Sequence, residues 1–227
     1  MPTLSATVEV GRRRRTLAHV WRRGCDIVRH EGWRRLLFVV LADLGYRRFL
    51  LYERRLDEPI VPVTTRLALV FEPFRPAAFE EYLRMHPLVP RAQLEERLAG
   101  GDECFLARAE GRIAAVVWIS RDAHFFRSIG CRYVLPAGEV YFYDSFTDPR
   151  LRGYGIAPAL GLWVLERLRQ SGVTRAVLAI VPENTANRRA RAKNGFRPFM
   201  RIDYVRIGRR WWHWHRPTDA RGRTRAR

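Results

Sequence analysis

The sequence predicts an α/β fold in which a mixed sheet surrounds one central βαβ unit, and three runs of residues carry this prediction. Residues 139–147 are aromatic and β-branched and are closed by Pro149, which cannot continue a strand. From Ile156 to Gly172 apolar side chains recur every three or four positions, which predicts a helix of about four turns. Residues 173–181 are almost continuously apolar, as expected for a parallel strand covered on both faces. Together they predict a right-handed βαβ unit.

The turn between the first strand and the helix contains two glycines, in the run Arg152-Gly153-Tyr154-Gly155-Ile156-Ala157. Glycine lets the backbone approach a ligand closely, and the N–H groups at a helix start attract anions, so this run suits a pyrophosphate. Neither the Lys-Ser/Thr ending of a Walker loop nor the three-glycine spacing of a dinucleotide-binding turn is present. A tight strand-to-helix turn without a ligand is the alternative interpretation.

Two separate motifs resemble the GNAT superfamily of acyl-CoA-dependent N-acyltransferases. Arg152-x-x-Gly155-x-Ala157 is similar to its Gln/Arg-x-x-Gly-x-Gly/Ala signature, and Thr147-x-Pro149 is similar to the lead-in. The runs 183–187 and 193–196, Glu-Asn-Thr-Ala-Asn and Lys-Asn-Gly-Phe, resemble the asparagine-rich helix and the Gly-Phe pair after the second parallel strand. The resemblance covers residues 67–215 and implies a GNAT-like acyl-CoA N-acyltransferase fold with splayed parallel strands and a C-terminal hairpin.

The resemblance also implies where an acyl-CoA binds. In this superfamily the pantetheine arm enters between the splayed strands and pairs with backbone groups, which here belong to Ser145, Phe146 and Thr147. Acetyl-CoA or another acyl-CoA is therefore the expected co-substrate, and no metal is expected. The remaining cofactor-binding residues are then Arg152, Gly153, Tyr154, Gly155, Ile156 and Ala157 at the pyrophosphate, with Asn184 and Asn187 on the arm or the phosphates.

The general base is expected among the acidic residues of the first strand. Glu139 stands thirteen residues before Arg152. Histone-acetylating members of the superfamily have their catalytic glutamate at this separation, so Glu139 is the first choice; a solvated edge residue is the alternative for it. Asp144 lies closer to the expected thioester and is the second candidate, acting directly or through a water.

The general acid departs from the superfamily pattern. Many members protonate the leaving thiolate with a tyrosine seven residues after the position of Asn184, and here that position is Arg191. An arginine does not donate a proton near neutral pH, although it stabilises a thiolate or binds phosphate. Tyr143, Tyr204 or water is therefore expected to serve as the proton donor, and Arg191 is assigned to cofactor binding.

The N-terminal region is basic and amphipathic over residues 12–56, which predicts two helices separated at Gly32. These helices either pack on the catalytic domain or lie on an anionic membrane surface, with aromatic side chains among the headgroups. The apolar run 36–42 is too short to span a bilayer. The aromatic residues that would enter the headgroup layer are Trp21, Trp33, Phe38 and Phe49.

Local patterns place the remaining elements in order along the chain. The domain organisation is a helical extension with linker at 1–62, an acyltransferase domain at 63–216 and a basic tail at 217–227. The predicted segments are a linker at 57–65, a first strand at 67–74, helices at 76–85 and 91–98, a hairpin of 103–109 with 112–120, a specificity loop or disordered excursion at 122–138, and a second hairpin of 199–207 with 211–215.

Charge and cysteine usage limit the choice of partners. Lys and Arg number 42 against 23 Asp and Glu, a net charge of +19, which favours anionic lipid, nucleic acid or acidic substrates. Nucleic acid is less favoured because no recognised binding motif accompanies the charge. The scattered Cys25, Cys104 and Cys131 lack the spacing of a zinc site and indicate a reducing cytoplasm. A cytoplasmic protein is expected, with peripheral contact to the inner face of the membrane through residues 12–56 as an option.

Histidines and tryptophans near the C-terminus receive conservative interpretations. His213 and His215 alternate with Trp212 and Trp214, and two histidines without a third ligand do not indicate a metal site. The tryptophans, including Trp211, are expected in the core, with an acceptor platform as the alternative. Four further histidines receive no partner; they are His19, His30, His86 and His124.

These patterns predict an N-acetyltransferase that moves an acetyl or other acyl group from acyl-CoA to a primary amine by direct attack in a ternary complex. The alternative is a non-catalytic GNAT-like module that binds anionic lipid, nucleic acid or a protein partner through its cationic surface. A third hypothesis keeps the enzyme but gives it a long acyl group at a membrane.

Overall fold

In a computed structural model of the protein, the described residues are 45–126, 131–207 and 210–219. Within them the chain forms ten strands and four helices, with single 3-10 turns at Pro76–Ala78 and Pro149–Leu151. In chain order these are β1 (Tyr46–Arg55), β2 (Val70–Pro73), α1 (Phe79–Met85), α2 (Arg91–Ala99), β3 (Glu103–Ala109), β4 (Arg112–Ser120), β5 (Ala123–Phe126), β6 (Cys131–Val134), β7 (Glu139–Thr147), α3 (Ile156–Gln170), β8 (Arg175–Ile180), α4 (Thr185–Lys193), β9 (Arg197–Ile207) and β10 (Arg210–Pro217).

Eight strands form one mixed sheet in the order β10-β9-β1-β8-β7-β4-β3-β2. β7 and β8 are parallel and joined by α3, so the predicted βαβ unit is confirmed; every other neighbouring pair is antiparallel. β5 and β6 form a separate hairpin. No helix among the described residues is long and apolar enough to cross a bilayer.

Alternate residues of the central strands bury against opposite layers. On one face Ala115 and Val117 of β4 pack in a cluster with Leu160 and Leu168 of α3. On the other face Trp118 packs beneath α1 and α2, and its indole Nε1 donates to the buried Tyr82 hydroxyl at 2.9 Å. The centre of the sheet is therefore covered on both sides: residues 113–120 of β4 are all buried, and their side chains alternate between the two layers.

The main correction concerns residues 46–55, which the sequence predicts as helix. They form β1, which lies inside the sheet between β8 and β9, and Leu50 to Tyr52 are buried at consecutive positions. Pairing on both edges outweighs the local helical periodicity. β1 therefore belongs to the domain that was predicted to begin at 63, and Phe49 is half-buried against a core cluster rather than in a headgroup layer. The predictions for residues 1–44 lie outside the described residues.

Other corrections are local. The first predicted strand, 67–74, shortens to the edge strand β2, and the segment 122–138 contains the β5–β6 hairpin instead of being irregular throughout. Trp212 and Trp214 are 43% and 44% exposed, so the core prediction was wrong for both. They lie on β10, an edge strand of the sheet.

Candidate active site

β7 and β8 separate halfway along β7. Their pairing runs from Glu139 opposite Arg175 to Phe142 opposite Leu178, and beyond this point no described strand pairs with that edge of β7. On its other edge β7 holds an extra residue, since Val116 and Trp118 of β4 pair with Phe146 and Tyr143. A β-bulge of this kind bends the strand and redirects side chains. Its central residue, Asp144, has a φ of 42°, a strained value for a residue with a side chain.

A groove of about 830 Å³ starts at this open edge. Gly155 begins α3 with a φ of 82°, and a Cβ there would lie 3.1 Å from the Thr64 carbonyl oxygen, so the turn is closed tightly on the linker. The first N–H groups of the 15-residue helix α3 end at the groove and favour anionic groups. Every predicted cofactor-binding residue lines it except Tyr154, which is 40% exposed.

Asparagines fix the opposite wall, α4, in place. Asn184 caps the helix, because its Oδ1 accepts from the Asn187 backbone N–H at 3.1 Å. At the other end the Asn194 side chain donates to the Pro158 carbonyl oxygen at 2.7 Å. A Cβ on Gly161 would lie 2.9 Å from Asn194 Oδ1, so α3 and α4 approach closely only because this position is glycine. Asn194 was part of the resembling motif, but its role in joining the helices was not predicted.

Arg191 is a buried cation in the groove. It is 6% exposed, and burial lowers the pKa of its guanidinium to about 10. Among the described residues no carboxylate forms an ion pair with it. A buried charge without a counter-ion is unfavourable by several kcal/mol, so this position favours an anionic ligand.

A second cavity, of about 730 Å³, opens at the bulge and includes Tyr143 and Asp144. Asp144 Oδ1 lies 3.2 Å from His86 Nε2, and Arg97 donates to Oδ2. Burial alone would raise the pKa of Asp144, but the hydrogen bonds from His86 and Arg97 outweigh it and hold the pKa below the ordinary value. Asp144 is therefore a carboxylate throughout the neutral range.

His86 lies between the two cavities and contacts one residue of each. It is 4% exposed and its ring stacks on Phe146, which lines the groove, with 4.0 Å between the ring centroids. Its Nδ1 is buried without a hydrogen-bond partner among the described residues. Since Nε2 faces Asp144 Oδ1, the imidazole and the carboxylate form one hydrogen-bonded pair beside the bulge. The sequence suggested no partner for His86.

Tyr143 and His124 form the inner wall of the second cavity. The Tyr143 hydroxyl donates to Asp102. The pKa of Tyr143 is raised above its usual value, mainly by burial and secondly by this hydrogen bond. His124 stacks on Tyr141 with 4.2 Å between the ring centroids and packs at a tilt against Tyr143 with 4.7 Å between them. Burial lowers the pKa of His124 to about 4, so it is neutral at physiological pH.

The predicted first-choice base lies elsewhere. Glu139 is at the beginning of β7 and pairs with Arg175 at 2.8 Å. At about 3.3 Å per residue, the five positions from Glu139 to Asp144 place it about 16 Å from the bulge. The structure does not bring Glu139 to either cavity. Glu183, at the start of the asparagine-rich motif, forms an ion pair with Arg48.

Tyr204 and the C-terminal histidines lie away from both cavities. Tyr204 packs against His213 on β9 and β10, with 5.2 Å between the centroids. Across the described ranges, no group of three or more His, Cys, Asp or Glu side chains is arranged to hold a metal ion.

Known structures share this fold. A glucosamine N-acetyltransferase region of a fungal multi-domain β-N-acetylglucosaminidase aligns with a TM-score of 0.56 and 15% identity, over 79% of this chain and 23% of that one. A GCN5-related N-acetyltransferase from Sphaerobacter thermophilus aligns with a TM-score of 0.52 and 17% identity, over 81% of this chain and 56% of that one. This chain thus spans about half or less of the length of these relatives, and at such identities the likeness shows the fold alone.

Comparison with curated proteins gave no match. The sequence profile of the acetyltransferase (GNAT) family, however, matches residues 68–196. This range is more than half of the 227 residues and contains both the groove and the bulge. The chain therefore belongs to the acetyltransferase (GNAT) family.

Proposed function

We propose that the protein transfers an acetyl or other acyl group from acyl-CoA to a primary amine by direct attack within a ternary complex. One observation carries this proposal: the adjacent residues Asp144 and Ser145 line different cavities. The groove lined by Ser145 suits a long, phosphate-bearing ligand. The second cavity, lined by Asp144, suits a polar acceptor. The bulge is where a thioester and an amine would meet.

The open edge of β7 positions the donor. Backbone groups of Ser145, Phe146 and Thr147 on this edge are free of strand pairing with β8 and suit the amides of a pantetheine arm. The start of α3 suits the pyrophosphate. Holding both substrates in this geometry converts a bimolecular reaction into a local one, which is a large part of enzymatic rate enhancement.

Asp144 and His86 accept the proton. The acceptor reaches the bulge as an ammonium ion and loses a first proton to water, which leaves a neutral amine. The amine nitrogen then attacks the thioester carbonyl carbon, the C–S bond breaks with its electron pair moving to sulfur, and the second proton passes to the Asp144–His86 pair. Because its pKa is depressed, Asp144 alone is a weak base. Its carboxylate is suited to hold the acceptor ammonium, while the imidazole shares the proton.

Arg191 stands where the resemblance implies a proton-donating tyrosine, and we propose that it stabilises negative charge on the acyl donor instead. Tyr143 is a poor proton donor, because its hydroxyl is bonded to Asp102 and its pKa is raised. A guanidinium in the groove stabilises negative charge on the CoA moiety without giving up a proton. The thiolate is a fair leaving group and takes its proton from water.

The second cavity, which we assign to the acceptor, is lined by both acidic and basic side chains, although the chain as a whole is strongly basic. This combination suits a polar acceptor that presents an ammonium group to the bulge. Its charged residues are the acidic Glu96, Asp102, Asp122 and Asp144 and the basic Arg97, Arg121 and Arg132.

Steady-state measurement of thiol release from acetyl-CoA tests the proposal. The assay uses a panel of primary amines that includes a polyamine, an amino sugar and a lysine peptide. We expect amine-dependent release and intersecting double-reciprocal plots, the pattern of a ternary complex. Absence of CoA binding by calorimetry, together with binding to anionic vesicles, would instead support the non-catalytic module.

A further inference from the structure

A third cavity, of about 690 Å³, lies on the other side of α4 from the groove. It is bounded by β1, α4 and the beginning of β9, and it shares Thr185 and Arg189 with the groove. Its β1 residues, Tyr52 and Arg54, precede the region 68–196 that matches the family profile. The cavity is therefore built partly by a segment outside the matched region.

Positive charge is concentrated around this cavity. Four arginines face one carboxylate, Glu58, so the formal balance is four minus one, or +3. Arg54 and Arg197 both pair with Glu58. Within the described residues, the Arg188 guanidinium contacts only neutral groups. It donates to the Tyr52 hydroxyl at 2.8 Å and to the Pro182 carbonyl oxygen at 3.2 Å. The four basic residues are Arg54, Arg188, Arg189 and Arg197.

One wall of the cavity is closely packed around Arg54. Arg54 is 6% exposed, and its Nη2 donates to the Pro59 carbonyl oxygen at 2.6 Å. Its guanidinium lies directly on Gly195, where a Cβ would be 2.7 Å from Nη1. The Nε of Arg54 is buried without a hydrogen-bond partner among the described residues. Glu58 balances only one of the four positive charges, and like charges held close together in a partly buried cavity repel one another unless a further anion is present.

We propose that this cavity is a second anion site that takes a phosphate monoester. Guanidinium groups bind phosphate oxygens through paired N–H donors, and a dianion would balance most of the +3 excess. Two sources carry this group: the ribose 3′-phosphate of CoA reaching around α4 by way of Arg189, or a phosphate on a separate molecule. The site is distinct from the pyrophosphate turn, and the inference does not depend on acyl transfer.

Calorimetry on the full chain tests the site with three probes: inorganic phosphate, CoA and dephospho-CoA. The variants are Arg188→Met and Arg197→Met, because Arg54 also holds the linker in place. Arg112→Met is the matched control, since it removes the same charge from an exposed position on β4. We expect phosphate affinity to fall about tenfold in each cavity variant, the effect of one charge-assisted hydrogen bond, and to stay unchanged in the control.

The CoA probes identify the source. Weaker binding of CoA but not of dephospho-CoA in the cavity variants assigns the site to the 3′-phosphate of the donor. Unchanged binding of both, with weaker inorganic phosphate binding, assigns it to a separate phosphorylated ligand. The proposal would be overturned if each of the three probes bound the cavity variants and the control with the same affinity. If dephospho-CoA still bound in that case, the assignment of the groove to the CoA donor would stand even though the anion site had failed.

Discussion

His124 makes the stability of the protein sensitive to acid. Its pKa is about 4, because it is packed between Tyr141 and Tyr143 and lies near Arg97, whereas a histidine in an unfolded chain titrates near 6.5. Between these values the unfolded chain binds a proton that the folded chain does not, so stability falls as pH falls through this window. The free energy of unfolding should drop by about 3 kcal/mol from pH 7 to pH 4 because of this residue.

Denaturant titrations at several pH values measure the effect. His124→Phe keeps an aromatic ring against the tyrosines but does not titrate, so its stability should depend less steeply on pH between 6.5 and 4. The carboxylate of Asp144, with its lowered pKa, affects stability at lower pH than this window. Identical slopes for the two proteins would show that the imidazole is not buried in its neutral form.

Arg191 should destabilise the unliganded protein and strengthen the liganded one. Replacing it with methionine removes a buried charge that has no described counter-ion, so the free energy of unfolding should rise by about 1 kcal/mol or more. Acyl-CoA affinity should fall about tenfold, because the charge-assisted contact is lost. Chemical denaturation and calorimetry check the two effects. Arg191→Lys is the control and should keep part of the affinity; a methionine variant that is both less stable and equally tight would contradict this role.

Most single residues of the site were predictable where a contiguous motif contained them, and Asp144 was a candidate from its place on the first predicted strand. The glycine turn and the start of α4 lie in such motifs, and their residues line the groove. His86, Arg97 and Asp102 lie 58, 47 and 41 residues from their partners on β7. Their meeting depends on how α1 and α2 pack on the sheet, which no local spacing encodes. Spacing likewise could not show that Glu139 pairs with Arg175.

At the level of elements, the two glycines of the strand-to-helix turn differ in how closely other atoms surround them. Gly153 and Gly155 both have positive φ, 87° and 82°, so alanine at either position should be destabilising by about 1 kcal/mol. Only Gly155 is also crowded, because a Cβ added there would lie 3.1 Å from the Thr64 carbonyl oxygen; a Cβ added at Gly153 would have no atom within 4 Å.

Gly155→Ala should therefore displace the turn and weaken CoA binding about tenfold or more, whereas Gly153→Ala should keep the affinity within about twofold. Thermal unfolding and calorimetry on both variants provide the measurement. Equal losses of affinity would mean that the turn is not held by its contact with the linker.

Elements with local signals were predicted well. β3, β4 and β7 agree with their predicted bounds, since alternation and flanking turn residues define them. β1 was missed because its conformation is decided by β8 and β9, which are more than 100 residues away in sequence. The β5–β6 hairpin was missed for the same reason on a smaller scale, since four-residue strands carry little periodicity.

For the whole molecule, β1 is the strand whose removal tests the fold most directly, because it pairs with both β8 and β9. A protein that begins at Gly45 keeps every described strand and is the reference for this comparison. A protein that begins at Asp57 lacks β1, leaves the edges of β8 and β9 unpaired in the middle of the sheet, and should aggregate. Circular dichroism and size-exclusion chromatography distinguish the two truncations. A soluble, cooperatively folded chain from Asp57 would show that β1 is dispensable.

The account as a whole depends on the bulge as the meeting point of donor and acceptor, and one pair of carboxylate-to-amide variants tests it most directly. Steady-state kinetics of Asp144→Asn should show kcat lowered at least about tenfold, with the KM for acyl-CoA within about twofold of the original. Glu139→Gln, the same chemical change at the other end of β7, should leave kcat nearly unchanged. A large loss of kcat in Glu139→Gln with an unaffected Asp144→Asn would contradict the account.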